Sequence, residues 1–229
     1  MAHGIILQTQ ADAPAGLLGE WARKRDIALS VVRADEHDAY PDPRDPDFVV
    51  ALGSGATAAG GGPDWVEAEI EWLRAADAAA LPILGICFGA QALAAALGGC
   101  VHRLPKPELG WITVASNDTD RIPSGPWMAW HEDHFTLPPL AYELASNAFG
   151  VQAFCHGRHL AVQFHPEVTP AIVDGWTVND HGDLGRAGTT AEALGADTRR
   201  HAAAAARAAD RLFDGFAARA GLVAVASRV

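Results

Sequence analysis

Cysteine is scarce in this chain of 229 residues. There are three cysteines, an odd number, and no two of them are closely spaced. This pattern argues against a framework of disulfide bonds and against a metal site of the CxxC type. We therefore expect free thiols and a reducing compartment.

The chain also lacks long apolar runs and clusters of basic residues. Charged residues, glycine or proline interrupt every apolar stretch well before the roughly 20 residues that a membrane span needs. The first residues run straight into a strand-like segment without a signal-peptide pattern. The formal net charge of −11 disfavours binding to nucleic-acid phosphates. We expect a cytoplasmic protein that binds neither membrane nor nucleic acid.

The chain does contain a regular alternation of apolar and amphipathic segments. The apolar runs GIILQ, IALSVV, FVVAL and PILGI are separated by helix-like segments, among them residues 17–25 and 65–79. This order predicts an α/β fold with a mostly parallel central sheet and helices on both faces. Residues 34–47 and 177–190 are rich in polar residues, proline or glycine, which predicts surface loops.

The second half of the chain has shorter apolar segments than the first half. Shorter strand-like segments between residues 111 and 165 favour hairpins added to the sheet, and an Ala- and Arg-rich segment over about 191–220 predicts a C-terminal helical extension. With 49% hydrophobic residues the chain can bury a substantial core. We expect a single domain over residues 1–229.

The segment LGICFGAQ, which ends at Gln91, carries the strongest chemical signal. A Gly-x-Cys-x-Gly arrangement between a strand and a helix is typical of a nucleophile elbow, because small neighbours permit the sharp turn that exposes the reactive atom. The N-terminus of the following helix favours a thiolate. Cys87 is therefore the candidate nucleophile, whereas Cys100 and Cys155 are expected to be core residues.

A second segment, AVQFHPE, supplies the partners that a thiolate nucleophile requires. His165 can hold a proton and Glu167 can orient the imidazole, provided that folding brings them near Cys87. The alternative is a structural cysteine and a core histidine, which are common in proteins.

These two segments resemble the hallmarks of the class I glutamine amidotransferases, a G-x-C-x-G-x-Q elbow and a later F-H-P-E. The resemblance also includes the Gly53–Gly55 turn, ELGW at 108–111 and WHEDHF at 130–135, and covers most of residues 4–175. In particular, the chain looks like the stand-alone subgroup that is similar to the glutaminase domain of GMP synthase and to γ-glutamyl peptidases. The resemblance implies a flavodoxin-like three-layer sandwich with its catalytic core over about 4–175.

The resemblance implies a role for each matching residue. Cys87 would attack the side-chain amide of glutamine, His165 would protonate the departing ammonia and Glu167 would orient the imidazole. Backbone N–H groups of Phe88 and of the Gly53–Ser54 turn would form the oxyanion hole. Family members more often have Gly-Gly-Pro at that turn, so Ser54 here replaces the middle glycine.

The resemblance also implies that Gln91, His131 and Asp133 bind the substrate, although Asp133 could instead cap a turn. No cofactor is implied. The pattern Gly53-x-Gly55-x-x-Ala58 is too short to indicate a nucleotide site, and no Gly-Lys-Ser/Thr follows it. The histidine pairs in HEDH and HGRH do not match H-E-x-x-H, so no metal site is predicted.

Three functions remain open at this point. The protein could be the glutaminase component of an amidotransferase, passing ammonia from glutamine to a synthase subunit in trans. It could be a self-sufficient hydrolase of γ-glutamyl amides or peptides. A non-catalytic binding module of the same fold is the third alternative, against which the presence of Cys87, His165 and Glu167 argues.

Overall fold

The computed structural model describes residues 2–36 and 39–222. An eight-stranded sheet forms its centre, with the strand order β2-β1-β3-β4-β10-β9-β8-β6. The strands of this sheet are β1 (His3–Leu7), β2 (Ala28–Val32), β3 (Phe48–Ala51), β4 (Ile83–Ile86), β6 (Ala115–Ser116), β8 (Tyr142–Asn147), β9 (Gly150–His156) and β10 (His159–Val162). The first five strands in the spatial order pair in parallel and the last three are antiparallel.

The predicted α/β fold is confirmed, and the burial of the strands explains it. Strands β3, β4 and β10 are buried at every position, as expected where helices cover both faces of a parallel sheet. Strand β2 lies at the edge and is partly exposed. The helices are α1 (Gly16–Lys24), α2 (Asp64–Ala78), α3 (Phe88–Ala96), α4 (Pro170–Val178), α5 (Asp183–Ala187) and α6 (Ala191–Ala220).

Two apolar clusters fill the space on the two faces of the sheet. On one face, α1 and α6 contribute side chains such as Trp21, Leu212 and Phe213. On the other, α2 and α3 contribute side chains such as Ile70 and Leu93. The result is the three-layer sandwich that the sequence pattern predicted.

The C-terminal helix follows the predicted bounds closely. The Thr190 hydroxyl caps its first turn by accepting a hydrogen bond from the Ala193 N–H at 3.2 Å. Gly221 ends the helix in the left-handed region, at a φ of 74°. Residues 223–229 lie outside the described part of the chain. None of the described helices combines the length and the apolar character needed to cross a bilayer.

Three expectations from the sequence are wrong. The segment at 127–135 does not join the main sheet: β7 (Trp127–Phe135) pairs with β5 (Val101–Ile112) in a separate two-stranded sheet. The predicted loop at 177–190 contains the end of α4 and the short helix α5. Cys100 is exposed, because it follows the turn that ends α3, whereas Cys155 is buried as expected.

The loop at 34–47 is confirmed, apart from a 3₁₀ turn over Ala34–Glu36 and residues 37–38, which are not described.

Candidate active site

Cys87 lies at the turn between β4 and α3, with a backbone φ of 52° and ψ of −110°. A non-glycine residue in this region is strained, and such strain is typical of a nucleophile elbow. The flanking glycines explain how the turn fits. A Cβ at Gly85 would lie 2.7 Å from the Gly89 carbonyl oxygen, and a Cβ at Gly89 would collide with the Ala51 carbonyl. Only glycine permits strand, turn and helix to pack this closely.

His165 and Glu167 lie just beyond β10, next to the elbow. The His165 backbone N–H donates to the Met128 carbonyl at 2.8 Å, which ties this segment to β7. The His165 Nδ1 atom lies 2.7 Å from Glu167 Oε1, and both side chains are almost fully buried. The imidazole and Cys87 both lie beside Gly53, where an added Cβ would be 2.8 Å from His165 Cε1 and 3.6 Å from Cys87 Cβ. The structure therefore brings the three predicted residues together.

The electrostatics of this cluster favour a charged histidine. Burial alone would lower the pKa of His165, but the Glu167 carboxylate and Cys87 outweigh it and raise that pKa well above its usual range. The indole of Trp176 packs edge-on against the imidazole, with ring centroids 4.8 Å apart. His165 is thus a buried proton carrier with a fixed orientation.

Backbone donors stand on two sides of Cys87. Phe88 begins α3, where a backbone N–H has no acceptor within the helix. The Gly53 turn lies opposite: a Cβ at Gly53 would be 2.8 Å from His165 Cε1. The Gly55 N–H donates to Gln10 Oε1, which leaves Gly53 and Ser54 as the candidate oxyanion donors of this turn.

The three predicted substrate-binding residues also lie at the site, and each of them contacts other protein groups there. Gln91 Nε2 donates to the Asp133 carbonyl at 2.8 Å, and His131 Nδ1 lies 2.9 Å from the same oxygen. The Asp133 side chain accepts from the Thr57 hydroxyl at 2.5 Å through Oδ2. Its Oδ1 atom is buried without a hydrogen-bond partner among the described residues, and Arg103 Nη1 lies 3.8 Å from it.

A cavity of about 250 Å³ contains this cluster and extends beyond it. Its inner part is formed by Cys87, Gln91, Asp133 and His165. Several lining residues carried no signal in the sequence, because they belong to loops and to helix α4, which come close only after folding. They are Gln10, Asp12, Trp176, Asn179, Asp180 and His181.

Helix α5 closes the outer end of the cavity. Asp183 accepts a hydrogen bond from the Trp130 indole at 2.9 Å, and Arg186 forms ion pairs with Asp183 and with Glu132 on β7. Arg103 on β5 also pairs with Glu132. These contacts attach the 179–187 segment to the two-stranded sheet, directly over the cavity.

The HGRH segment, in contrast, does not have the chemistry of a metal site, although Asp77, His156 and His159 lie close together. His159 Nδ1 accepts the Ile83 N–H at 3.1 Å, so the proton of the neutral ring sits on Nε2. That nitrogen donates to Asp77 Oδ1 at 2.8 Å. A metal ion would need the same nitrogen as a free lone pair.

Fold and site together define an α/β protein in which Cys87, His165 and Glu167, the candidate triad, lie close together beyond the carboxyl ends of β4 and β10. The family model described as glutamine amidotransferase class-I matches residues 18–179, which is most of the chain. The chain belongs to the class I glutamine amidotransferase family.

Relatives within this family include subunits of GMP synthase. The chain is 38% identical over 112 residues to a subunit of GMP synthase (glutamine-hydrolyzing) from Ignicoccus hospitalis, covering 45% of this chain and 56% of the relative. It is 43% identical over 96 residues to the corresponding protein of Sulfurisphaera tokodaii, covering 38% and 51%. The matched part thus spans about half the length of these relatives.

Solved structures match over nearly the whole chain. A glutamine amido transferase from Methylobacillus flagellatus superposes with a TM-score of 0.87 at 24% identity, covering 95% of this chain and 94% of that one. A glutamine amidotransferase from Thermotoga maritima gives 0.83 at 22% identity, covering 94% and 97%. At these identities the likeness establishes the fold.

Proposed function

We propose that this protein hydrolyses the side-chain amide of glutamine through a γ-glutamyl thioester and is the glutaminase component of an amidotransferase. The observation that carries the proposal is the buried His165–Glu167 pair beside Cys87 at the elbow, in which the Glu167 carboxylate, against the effect of burial, raises the pKa of His165. A cation beside the sulfur favours the thiolate, which is the attacking form.

The reaction proceeds in two steps. The Cys87 sulfur attacks the amide carbon, and the developing oxyanion accepts hydrogen bonds from the Phe88 N–H and the Gly53–Ser54 turn. His165 gives its proton to the nitrogen, the C–N bond breaks and ammonia leaves. A water molecule, deprotonated by His165, then attacks the thioester carbon and releases glutamate and Cys87. The chemistry needs side chains and water, so we propose no cofactor.

The cavity offers groups that fit the amino-acid end of glutamine. Asp133 Oδ1 is a buried carboxylate oxygen without a hydrogen-bond partner among the described residues; Arg103 Nη1 lies 3.8 Å from it, and it lines a cavity that a substrate ammonium could enter. Gln91 also lines the cavity, and its amide nitrogen is fixed by the Asp133 and Gln163 oxygens at 2.8 and 3.3 Å. Its oxygen is therefore oriented for a second contact.

The relatives suggest where the ammonia goes. The similarity to GMP synthase subunits supports a partner protein in this case too, one that belongs to the synthase and accepts ammonia in trans.

A second function is favoured by one observation: the cavity extends past Cys87 to Asn179 and Asp180. That space suits the leaving group of a larger γ-glutamyl amide or peptide, which the chain would hydrolyse without a partner.

Glutamate release by the purified chain tests both functions. Free glutamine and a γ-glutamyl dipeptide are compared side by side, with Cys87→Ala as the blank. Faster turnover of glutamine supports the glutaminase component, and faster turnover of the dipeptide supports the self-sufficient hydrolase. Release that is equally fast with Cys87→Ala would contradict both.

A further inference from the structure

A buried polar cluster stands behind the Asp133 segment, between the two sheets. Glu108 on β5 lies directly opposite His131 on β7 in the strand register, and its Oε2 is 2.9 Å from His131 Nε2. The β8–β9 hairpin of the main sheet contributes Asn147 and Gln152. Asn147 Nδ2 donates to Glu108 Oε1 at 2.5 Å, and Gln152 Nε2 donates to Glu108 Oε2 at 2.9 Å.

The partners of His131 determine its protonation. Nδ1 lies 2.9 Å from the Asp133 carbonyl oxygen, which can only accept, so this nitrogen carries a proton. Nε2 faces the Glu108 carboxylate. Burial opposes ionisation of Glu108, but hydrogen bonds from His131, Asn147 and Gln152 outweigh it and lower the pKa of that carboxyl. An ionised carboxylate accepts only, so Nε2 carries a proton as well.

The neighbouring histidine adds no positive charge beside His131. The ring of His134 stacks on it, with centroids 5.9 Å apart. Burial, and then the nearby His131 charge, lower the pKa of His134 to about 4, so this neighbour is neutral at neutral pH. His102 meets the His134 ring edge-on, whereas the Asp133 side chain contacts Thr57 and lies 3.8 Å from Arg103 Nη1.

This geometry gives His131 a different role from the substrate contact that the sequence suggested, because both of its ring nitrogens have protein partners. We propose that Glu108 is a positioning residue: it fixes His131, whose Nδ1–H joins Gln91 in holding the Asp133 carbonyl, so that the Asp133 carboxylate meets the substrate ammonium. This inference rests on the proposed function, which requires that a glutamine-like molecule bind in the cavity.

Protection of Cys87 from alkylation tests the inference without requiring turnover. The rate at which iodoacetamide alkylates Cys87 is measured at increasing concentrations of glutamine or of a γ-glutamyl dipeptide. The ligand concentration that halves this rate gives the Kd of the ligand. In Glu108→Ala we expect this Kd to rise about tenfold, the size expected for weakening one charged hydrogen bond, while the unprotected alkylation rate stays unchanged. Glu108→Gln should restore most of the affinity, because its amide can donate to His131 Nε2 and leave the proton on Nδ1.

Asn147→Ala is the matched control. It removes another partner of Glu108 and weakens the link between the two sheets, yet leaves the contact with His131. We expect lower thermal stability with an unchanged Kd. An equal rise of Kd in Asn147→Ala and Glu108→Ala, or no rise in Glu108→Ala, would overturn the positioning role alone. No protection of the wild type by either ligand would overturn the proposed function together with it.

A spectroscopic measurement on the wild type is independent of how the variants fold. We expect ¹⁵N NMR shifts of His131 at neutral pH to indicate protons on both ring nitrogens, and a proton on Nδ1 alone in Glu108→Gln. A wild-type His131 that is neutral at neutral pH would contradict the inferred ion pair.

Discussion

The imidazole of His165 packs against the indole of Trp176 at 64°, and the Trp176 Nε1–H donates to the Asp12 carbonyl at 2.8 Å. Helix α4 thereby supplies a wall that keeps His165 oriented between Glu167 and Cys87. Helix α4, which follows the F-H-P-E segment, therefore contributes a side chain that contacts the candidate active site.

Trp176→Ala should lower kcat/KM by about tenfold or more, because misorientation of a catalytic group is costly. Trp176→Phe keeps an aromatic face and should retain most of the activity. Trp111→Phe is the matched control, since the Trp111 indole donates to Thr198 on α6 at 3.0 Å, away from the triad. Steady-state kinetics on the three variants measure the effect. Equal losses in Trp176→Ala and Trp111→Phe would argue against an orienting role.

Glu167→Gln should weaken the activity without abolishing it, because the orienting group is the most dispensable member of such a triad. It also removes the charge that raises the pKa of His165. A histidine acting as an acid loses activity as the pH rises through its folded pKa, so the alkaline limb of the pH–rate profile should move to lower pH. An unchanged profile would mean that another group supports the charge on His165.

Gly89→Ala should destabilise the fold by about 3 kcal/mol or more, since its Cβ would collide with the Ala51 backbone. Gly175→Ala is the matched control within a helix. A Cβ there has nothing within 4 Å, and alanine should raise stability by about 0.5–1 kcal/mol. Chemical denaturation measures both changes. A neutral Gly89→Ala would contradict the close packing of the elbow.

Glu69 makes stability depend on pH. It is fully buried on α2, and burial raises the pKa of its carboxyl to about 8, an effect that the Tyr40 hydroxyl only partly offsets. Because the folded pKa exceeds the unfolded value, the folded protein holds a proton that the unfolded chain has released. Glu69 should therefore contribute a decrease in the free energy of unfolding, on the order of a few kcal/mol, as the pH rises from about 4.5 to about 8, whereas the lowered pKa of His134 acts in the opposite direction.

Denaturation at several pH values checks this expectation. Glu69→Gln should remove the decrease, because the amide does not titrate. Glu71→Gln, on the exposed side of the same helix, should retain it. A stability difference between the wild type and Glu69→Gln that stays constant over this pH range would contradict a protonated Glu69 in the fold.

Local pattern was sufficient to predict the elbow and the parallel half of the sheet. The glycines around Cys87 and the apolar runs of β3 and β4 are patterns of a few consecutive residues. Each predicts its local structure without knowledge of residues that are distant in the sequence. The residues of the triad could be proposed because each carries a recognisable motif. Their proximity could not be derived, since it depends on how β10 pairs with β4.

The remaining features depend on long-range pairing. Alternation in residues 127–135 indicates a strand but not its partner, so the separate β5–β7 sheet was missed. The opposition of Glu108 and His131 requires the register of that pair, which includes a bulge between Arg103 and Glu108. Helix α5 has five residues between two glycines, too few to show a helical period.

The most direct test of the proposed mechanism is mass spectrometry of the chain after acid quenching during turnover of glutamine. The mechanism predicts a population with one added γ-glutamyl group, on the peptide that contains Cys87, and none in Cys87→Ala. Glutamate release by Cys87→Ala at the wild-type rate, or an adduct on Cys100 or Cys155 instead of Cys87, would contradict it.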